Sequence, residues 1–474
     1  MKITITGGIP LHGEVEISGS KNTCLPILCA SCIFNKPIIL GNLPNIHDVR
    51  AMLSVVQSLG VDVYGIERNS DENNGKKLTN DRDLLPIITK SRYIMVFPAS
   101  LFRNDYSNNE HAKKMRASIW LLPALLHKFG SAKIALPGGC KIGERPIDLH
   151  IFAMEQLGAK YREVETETGF YAEFAVGEEG LVGGDINFHK YSVGATENAI
   201  LAASCASGIT TITNAAREPE VIHLCEFLIK HGIQINGIGE SVITIVGNPK
   251  LLDKKAGDFT DEKTIEDTYI IPADRIEAAS YAIAAVATGG SVTLTNVDEN
   301  IFAGVSEEMG GMGIKIEQLE SGVFVSHKLG DGNKLYRADI STGIWPNFPT
   351  DLQPIFTSAL CLAVSHPEAL NSNRKTSEIT ENIFENRFQY AEELRKFGAD
   401  IKIKDKTCFV TGVGRMHGAN VVCSELRGSK ALIIAALTAK GTSEITNLEY
   451  LDRGYEDIVN KLRRLGAKIS RGHK

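Results

Sequence analysis

One type of helix recurs along the hydrophobic and polar pattern of this chain. It consists of small and aliphatic residues, opens on a polar or charged residue, and ends near a glycine. Because each such helix is apolar nearly all round, we expect all of them to be buried. Their starts lie roughly 75 to 95 residues apart, near Lys21, Arg116, Ser192, Arg275, Thr350 and Arg427.

A short β-like stretch and an amphipathic helix follow each of these helices. Residues 37–40, 291–294 and 443–446 show the apolar or alternating pattern that is typical of strands. The amphipathic helices have apolar residues at spacings of three and four, and a glycine stands at each predicted C′ position. These glycines are Gly60, Gly158, Gly232, Gly313, Gly398 and Gly466. The recurrence predicts an α/β protein of six repeated units, three in each of two domains, with helices inside and sheets outside.

The length of the chain agrees with two domains. Its 474 residues exceed the roughly 250–300 residues at which a single core stops growing. Residues 253–267 are rich in charge and glycine and separate the third unit from the fourth. Residues 67–110 contain a densely charged part, which we interpret as a surface insertion, and residues 93–97 predict a strand.

The composition excludes several classes of partner. With a formal net charge of −6, the chain has no general positive field, so we expect neither nucleic acid nor a membrane surface as a partner. The N-terminal residues lack the features of a signal peptide, and no apolar run is long enough to span a membrane. Nine scattered cysteines argue against a disulfide framework and predict a cytoplasmic protein. Cys24, Cys29 and Cys32 fall in a predicted buried helix, so we interpret them as packing residues rather than metal ligands.

The strongest candidate for a reactive side chain is Cys140. Gly138 and Gly139 precede it and Gly143 follows, so the loop can turn sharply on both sides of the thiol. Lys141 and the nearby Arg145 favour the thiolate and an anionic ligand. A cysteine in a glycine-rich loop is weak evidence alone, and the flanking cations strengthen it.

Several cations stand where predicted helices begin, although a cation there opposes the helix dipole. Such a placement is understandable if the cations face a multiply charged anion. The group comprises Lys21, Arg116, Lys190 and Arg427, with Arg387 and Arg453 before the last two amphipathic helices. One carboxylate, Asp351, also stands at a helix start. It either caps that helix or accepts a proton from a substrate hydroxyl.

These residues lie in motifs that resemble the enolpyruvyl transferase family, and within it the UDP-N-acetylglucosamine 1-carboxyvinyltransferases. The resemblance covers nearly the whole chain in order. It rests on SGSKN at 18–22, MRAS at 115–118, PGGCKIGERPIDLH at 137–150, SVGAT at 192–196, FPTD at 348–351, FENRF at 384–388 and DRGY at 452–455.

The resemblance implies a reaction and a fold. The enolpyruvyl group of phosphoenolpyruvate would be transferred to the 3′-hydroxyl of UDP-N-acetylglucosamine with release of phosphate, in the first committed step of peptidoglycan precursor synthesis. The fold would be a two-domain inside-out α/β barrel with the active site between the domains. The domains would be residues 21–272, carrying the Cys140 loop, and residues 1–20 together with 273–474. No metal, cofactor or obligate protein partner is expected.

The resemblance also implies roles for individual residues. The catalytic residues would be Cys140, Asp351 and Lys21. Cys140 would protonate the methylene carbon of phosphoenolpyruvate and react with fosfomycin, and Asp351 would take the proton from the sugar hydroxyl. Residues in contact with phosphoenolpyruvate would be Lys21, Asn22, Arg145, Arg427 and Arg453. The UDP-N-acetylglucosamine site would comprise Arg116, Arg145, Pro146, Ile147, Asp148, Leu149, Lys190, Tyr191, Ser192, Val193, Asp351 and Ile383, with Arg387 a further substrate-binding residue.

Three positions depart from the pattern of the family. Glu425 replaces the usual Asp, Ser20 replaces the usual Ala, and Lys430 stands at a normally neutral helix start. Two alternatives stay open. A sister enzyme would use another nucleotide or shikimate 3-phosphate as acceptor, although the shikimate enzyme lacks the PGGC loop. The other alternative is a catalytically idle binding protein.

Overall fold

The computed structural model describes residues 1–66, 78–79, 92–98, 103–136, 146–166, 169–253, 268–328, 332–365 and 375–472. The described residues form two compact units. The central unit comprises the described residues of 19–136 and 146–272, and the terminal unit combines Met1–Ser18 with the described residues of 273–472. Each unit has its own hydrophobic core.

The described part of the central unit contains three open sheets. In spatial order, the strands of the first are Tyr269–Ile270, Ile38–Gly41, Ile94–Phe97, Asp62–Ile66 and Leu78–Thr79. Those of the second are Ser131–Ala135, Gly169–Ala175 and Lys160–Thr166. Those of the third are Asp185–Asn187, Gly208–Thr213, Val242–Gly247 and Gln234–Asn236. The strand predicted at residues 93–97 is confirmed as Ile94–Phe97.

The described part of the terminal unit also contains three open sheets. The first has the order Asn420–Val422, Gly441–Thr446, Lys2–Gly7 and Lys468–Gly472. The second has the order Ile314–Leu319, Gly322–His327, Val292–Thr295 and Glu14–Glu16. The third has the order Ile340–Ser341, Thr376–Thr380, Thr407–Thr411 and Asp400–Lys404. The first strand of the chain pairs antiparallel on both sides, with Ile3 opposite Ile445 and Ile5 opposite Ile469.

The apolar helices are buried on almost every side, as predicted, except that His127, Lys128 and Phe129 are partly or largely exposed in the last turn of the second. These helices are Lys21–Ser31, Leu122–Phe129 and Val193–Cys205 in the central unit, and Arg275–Ala287, Gln353–Leu360 and Leu426–Thr438 in the terminal unit. The second is preceded by a 3₁₀ turn over Arg116–Leu121. Cys24, Cys29 and Cys32 lie in or directly after the first helix as buried free thiols, and burial raises the pKa of Cys24 to about 12.

The amphipathic helices end at the glycines that the sequence predicted. They are His47–Ser58, Asp148–Gln156, Pro219–Lys230, Ser306–Gly311, Tyr390–Arg395 and Ile458–Arg464. All six glycines have φ values between 82° and 99°, which is the left-handed region that glycine adopts most readily. Shorter helical segments are Glu110–Lys114, Pro249–Leu252, Glu299–Phe302 and Glu449–Asp452.

The described residues include no helix with both the length and the apolar character that crossing a membrane requires. The sheets and helices establish a mixed α/β protein. No sheet closes on itself within the described part of the chain.

Candidate functional site

A carboxylate between two guanidinium groups marks the candidate site of the terminal unit. Asp351 Oδ1 accepts a hydrogen bond of 2.9 Å from Arg387 Nη2. Its Oδ2 accepts bonds of 3.1 and 2.9 Å from Arg427 Nε and Nη2. The helix begins only at Gln353, with Leu352 as its N-cap residue. Asp351 therefore lies two residues before the helix and is engaged with the two arginines.

The two arginines of this cluster are buried, whereas the carboxylate is partly open to solvent. Both arginine side chains are 2% exposed, and that of Asp351 is 27% exposed. Burial lowers the pKa of Arg427, but Asp351, Tyr455 and Asp274 together raise it by more, so the pKa lies above its usual range. Burial likewise lowers the pKa of Arg387, and Glu425, Asp351 and Glu381 together more than offset this effect. Both arginines remain charged, and they favour the ionised form of Asp351.

The unusual Glu425 fixes the start of the helix that carries Arg427. Its side chain caps Leu426–Thr438 by accepting bonds from the backbone N–H groups of Arg427, at 2.7 Å, and of Gly428. A Cβ atom at residue 428 would lie 2.6 Å from Glu425 Oε1, so glycine gives the longer acid its space. Glu425 also lies 3.8 Å from Arg387 Nη1. The replacement of Asp by Glu therefore retains a capping carboxylate beside the cluster.

Lys430, the second unusual position, has no ionic partner within hydrogen-bonding distance among the described residues. It is fully buried, and its Nζ lies 4.1 Å from the ring centre of Tyr281 and 5.0 Å from that of Tyr455. Its pKa is lowered to about 7, chiefly by burial and also by Lys461, against the opposing effect of Glu277. The pair of Lys461 and Glu277, 2.8 Å apart, lies in the same buried region.

In the central unit, Lys21 is the first residue of its helix, as predicted. Its Nζ lies 2.7 Å from Asp48 Oδ2, and the two side chains are 11% and 5% exposed. Ser20 is the N-cap residue, and its hydroxyl accepts bonds from the backbone and side chain of Thr23. Asn22 is the second helical residue and is half-buried. Sequence reasoning missed Asp48, whose signal was a carboxylate in the first turn of the next helix.

Arg116 is linked to the segment that precedes the helix Asp148–Gln156. Its Nη2 donates a 2.7 Å bond to the carbonyl oxygen of Pro146. Pro146 and Asp148 are exposed and Ile147 is half-buried, so three of the predicted nucleotide-binding residues have surface available to a ligand. Leu149 is buried and packs in the core.

The third predicted segment of the central unit leads into the helix Val193–Cys205. Lys190 is exposed, and Ser192 caps the helix by accepting a 3.3 Å bond from the N–H group of Ala195. Tyr191 donates its hydroxyl to Glu218 Oε2 and accepts a 3.1 Å bond from the N–H group of Arg217. Burial and Glu218 raise the pKa of Tyr191, so this hydroxyl remains protonated at neutral pH.

A cavity of about 880 Å³ lies within the terminal unit beside Phe348, two residues before Thr350. Its lining includes Thr342, Asn347, Phe348 and the predicted acceptor-binding residue Ile383. Arg453 is half-buried at the end of the helix Glu449–Asp452. The predictions for Cys140 and Arg145 lie outside the described residues, as does most of the predicted insertion.

The structure therefore brings some of the predicted residues together in each unit. Asp351, Arg387 and Arg427 form one cluster of the terminal unit, whereas Ile383 lies at the cavity. In the central unit, Arg116 is joined to the 146–149 segment. Glu381, which sequence reasoning missed, accepts hydrogen bonds from both Thr350 and Ile383.

Two sequence comparisons agree on the family. Residues 5–86 and 88–462 match the family model described as EPSP synthase (3-phosphoshikimate 1-carboxyvinyltransferase). A UDP-N-acetylglucosamine 1-carboxyvinyltransferase of Rickettsia prowazekii (strain Madrid E) is 39% identical over 470 residues, 99% of each chain. That of Anaplasma marginale (strain St. Maries) is 38% identical over 460 residues, 97% of this chain and 96% of the other.

Solved structures show the same fold at lower identity. The enolpyruvyl transferase NikO from Streptomyces tendae has a TM-score of 0.78 and 20% identity, covering 99% of this chain and 98% of that one. EPSP synthase from Acinetobacter baumannii has a TM-score of 0.69 and 18% identity, with both chains fully covered. The chain therefore belongs to the enolpyruvyl transferase family and, within it, to the UDP-N-acetylglucosamine 1-carboxyvinyltransferases.

Proposed function

We propose that this protein transfers the enolpyruvyl group of phosphoenolpyruvate to the 3′-hydroxyl of UDP-N-acetylglucosamine and releases phosphate. The observation that carries the proposal is the partly exposed carboxylate of Asp351 between two buried guanidinium groups. An acceptor hydroxyl needs a base, and a phosphorylated donor needs positive charge. This cluster supplies both, in a chain whose relatives carry the name of that activity.

The proposed reaction divides the proton transfers between two residues. Asp351 takes the proton of the sugar hydroxyl as that oxygen bonds to C2 of phosphoenolpyruvate, while Cys140 gives a proton to C3. The resulting tetrahedral intermediate then loses a proton from C3 as the bond between C2 and the phosphate oxygen breaks. Inorganic phosphate leaves, and the enolpyruvyl ether remains on the sugar.

The residues that bind phosphoenolpyruvate have a separate role in this proposal. Lys21, Asn22, Arg145 and Arg453 bind the anionic groups of phosphoenolpyruvate, and Arg427 assists. Because Arg427 contacts Asp351 through two nitrogen atoms, a substrate anion that attracts Arg427 would free an oxygen of the base. Binding of the donor would thereby prepare Asp351 to accept a proton.

The remaining substrate-binding residues are proposed to hold UDP-N-acetylglucosamine. In the central unit these are Arg116, Arg145, Pro146, Ile147, Asp148, Leu149, Lys190, Tyr191, Ser192 and Val193, and in the terminal unit Asp351 and Ile383, with Arg387 supporting Asp351. The exposed Pro146, Asp148 and Lys190 support the proposal because a ligand can reach them. Leu149 is buried and would contribute through its backbone.

The architecture is proposed to follow the same family. The central and terminal units correspond to the two enolpyruvyl transferase domains, each an inside-out α/β barrel of three repeated units. Three sheets and three buried helices in the described part of each unit support this assignment. A cytoplasmic location is supported by eight buried free thiols among the described residues, since a reducing compartment preserves them.

The test is release of inorganic phosphate by the full chain with phosphoenolpyruvate and a panel of acceptors. Release is expected with UDP-N-acetylglucosamine, and none is expected with shikimate 3-phosphate or without an acceptor. Release with another acceptor but not with UDP-N-acetylglucosamine would reject the proposed reaction.

A second test concerns the reactive thiol. Fosfomycin should add its mass to the unsubstituted protein but not to the Cys140→Ser variant. An adduct that persists in the variant would reject Cys140 as the reactive thiol.

A further inference from the structure

Glu381 is a buried carboxylate at the end of the strand Thr376–Thr380, and it accepts four hydrogen bonds. It is 2% exposed. Its Oε1 accepts bonds of 3.0 Å from the Thr342 hydroxyl, 2.9 Å from the Ile383 N–H group and 3.1 Å from the Phe384 N–H group. Its Oε2 accepts a bond of 2.9 Å from the Thr350 hydroxyl. A buried charge is tolerated when it is hydrogen-bonded in this way.

The donors of these bonds belong to segments that the proposed reaction uses. Thr350 directly precedes Asp351, and its carbonyl oxygen also accepts a bond of 3.2 Å from Arg387 Nη2. Ile383 is the proposed acceptor-binding residue, and the Phe384 ring lies 5.8 Å from the Arg387 guanidinium. One carboxylate therefore joins the segment of the base to the segment at the cavity.

This connection limits how the two segments can move. Displacement of Thr350 away from Ile383 would break a charge-assisted bond to a carboxylate that water barely reaches. Since Thr350 is held by Glu381 on one side and by Arg387 on the other, the backbone position of Asp351 is fixed from two directions. A base must be held close to its productive geometry to be effective.

We propose that Glu381 is a positioning residue that holds Asp351, through Thr350, in register with the acceptor-binding segment at Ile383. This role rests on the proposed transfer to UDP-N-acetylglucosamine. Glu381 acts through its neighbours, so its loss affects turnover more than the affinity for either substrate. A role restricted to folding would instead lower stability and leave turnover per folded molecule unchanged.

Two threonines provide a matched test, because each donates its hydroxyl to Glu381. Thr350→Val removes the bond on the side of Asp351, whereas Thr342→Val removes the bond on the side of the strand Ile340–Ser341. The Thr342 hydroxyl also accepts a bond from the Asn382 N–H group, so the control loses at least as many hydrogen bonds. Each variant is assayed for phosphate release with both substrates, and its folded fraction is measured by thermal unfolding.

We expect Thr350→Val to lower kcat about tenfold, with the KM for UDP-N-acetylglucosamine changed by less than about threefold. We expect Thr342→Val to keep kcat within about threefold of the unsubstituted chain. Equal losses of kcat in the two variants would overturn the proposal. Absence of phosphate release by the unsubstituted chain would instead overturn the proposed function, and this proposal with it.

Substitution of Glu381 itself separates hydrogen bonding from charge. In Glu381→Gln the amide oxygen can keep the three bonds of Oε1, and the amide nitrogen can donate to the Thr350 hydroxyl. We therefore expect Gln to retain kcat within about fivefold, whereas Ala, which removes all four bonds, lowers it about a hundredfold or more. Glu378→Gln, at an exposed site on the same strand, should behave as the unsubstituted chain. A Gln variant as inactive as Ala would overturn positioning by hydrogen bonds.

Discussion

Each unit contains an ion pair that includes a predicted site residue. The group that is more exposed to solvent is acidic in one unit and basic in the other. In the terminal unit the exposed member is acidic, because Asp351 is 27% exposed and its arginine partners are 2% exposed. In the central unit the more exposed member is basic, because Lys21 is 11% exposed and Asp48 is 5% exposed. In each case the more deeply buried partner holds the other group in one place.

This difference relates each unit to a different part of the chemistry. A carboxylate with one face open to solvent can accept a proton from a neutral hydroxyl, and the guanidinium groups behind it keep it ionised. An ammonium group held by a buried carboxylate can bind an anion at its remaining donors. The comparison therefore supports the proposal that the proton acceptor belongs to the terminal unit and an anion-binding cation to the central unit.

The largest effect is expected from removing the exposed charge of the terminal unit. Asp351→Asn should lower kcat about a thousandfold, because the amide cannot take the hydroxyl proton. The KM for UDP-N-acetylglucosamine should change by less than about fivefold, since the base acts mainly in the transition state. Phosphate release measured against the concentration of each substrate separates the two parameters.

The matched control for this substitution is Asp400→Asn, at an exposed site on a strand of the same unit. It removes the same charge and should leave kcat unchanged. Thermal unfolding of both variants identifies any loss caused by leaving Arg387 and Arg427 less compensated. A fully folded Asp351→Asn protein with kcat within about tenfold of the original would remove Asp351 from the role of base.

A smaller effect is expected from releasing Lys21, the buried cation of the central unit. In Asp48→Asn, Lys21 loses the carboxylate that holds it, so its ammonium group is no longer fixed for an anion. We expect kcat/KM for phosphoenolpyruvate to fall about thirtyfold, and kcat/KM for UDP-N-acetylglucosamine to fall less. Asp185→Asn, an exposed change in the same unit, serves as control. Equal losses for both substrates would contradict a specific role in donor binding.

Much of the secondary structure followed from local sequence. The glycines that end the amphipathic helices were predicted correctly because a positive φ is a requirement of one residue and needs no distant partner. The pairing of Lys2–Gly7 with Gly441–Thr446 is different, since its register depends on residues more than 430 positions apart. The apolar and polar pattern predicts that each strand exists but not which strand lies beside it.

The site was predictable only in part, for the same physical reason. Lys21 and Arg427 were identified from their positions at helix starts. Their partners, Asp48 and Asp351, come from other elements, and the degree of exposure within each pair is a property of tertiary packing. From the sequence we expected these cations to face a charged ligand. We did not predict that Arg427 contacts Asp351, the proposed base. Glu381 was missed because its importance lies in four donors: two hydroxyl groups from other segments and two backbone N–H groups.

Lys430 differs from the two ion pairs because it is a buried lysine with no carboxylate at hydrogen-bonding distance among the described residues. Burial and Lys461 lower its pKa from 10.5 to about 7, against the opposing effect of Glu277. Between these two values the unfolded chain binds a proton that the folded chain does not. Stability therefore rises as the pH increases from about 7 to about 10.5, and below about 7 the cost of burying the charge is fully present.

Replacement of this lysine should stabilise the protein in a pH-dependent way. Lys430→Met removes the cost of burying an amine but also the contacts of the amine with the rings of Tyr281 and Tyr455, so we expect a net gain of about 1 kcal/mol at pH 7. The gain should decrease steadily toward pH 10, because over this range the folded chain buries a neutral amine while the unfolded chain must still give up the proton. Urea unfolding of both proteins from pH 7 to 10 measures it, with the exposed Lys440→Met as control. A gain that is the same at every pH would mean that Lys430 changes stability through packing alone, and that its charge has no part in the contrast between the two units.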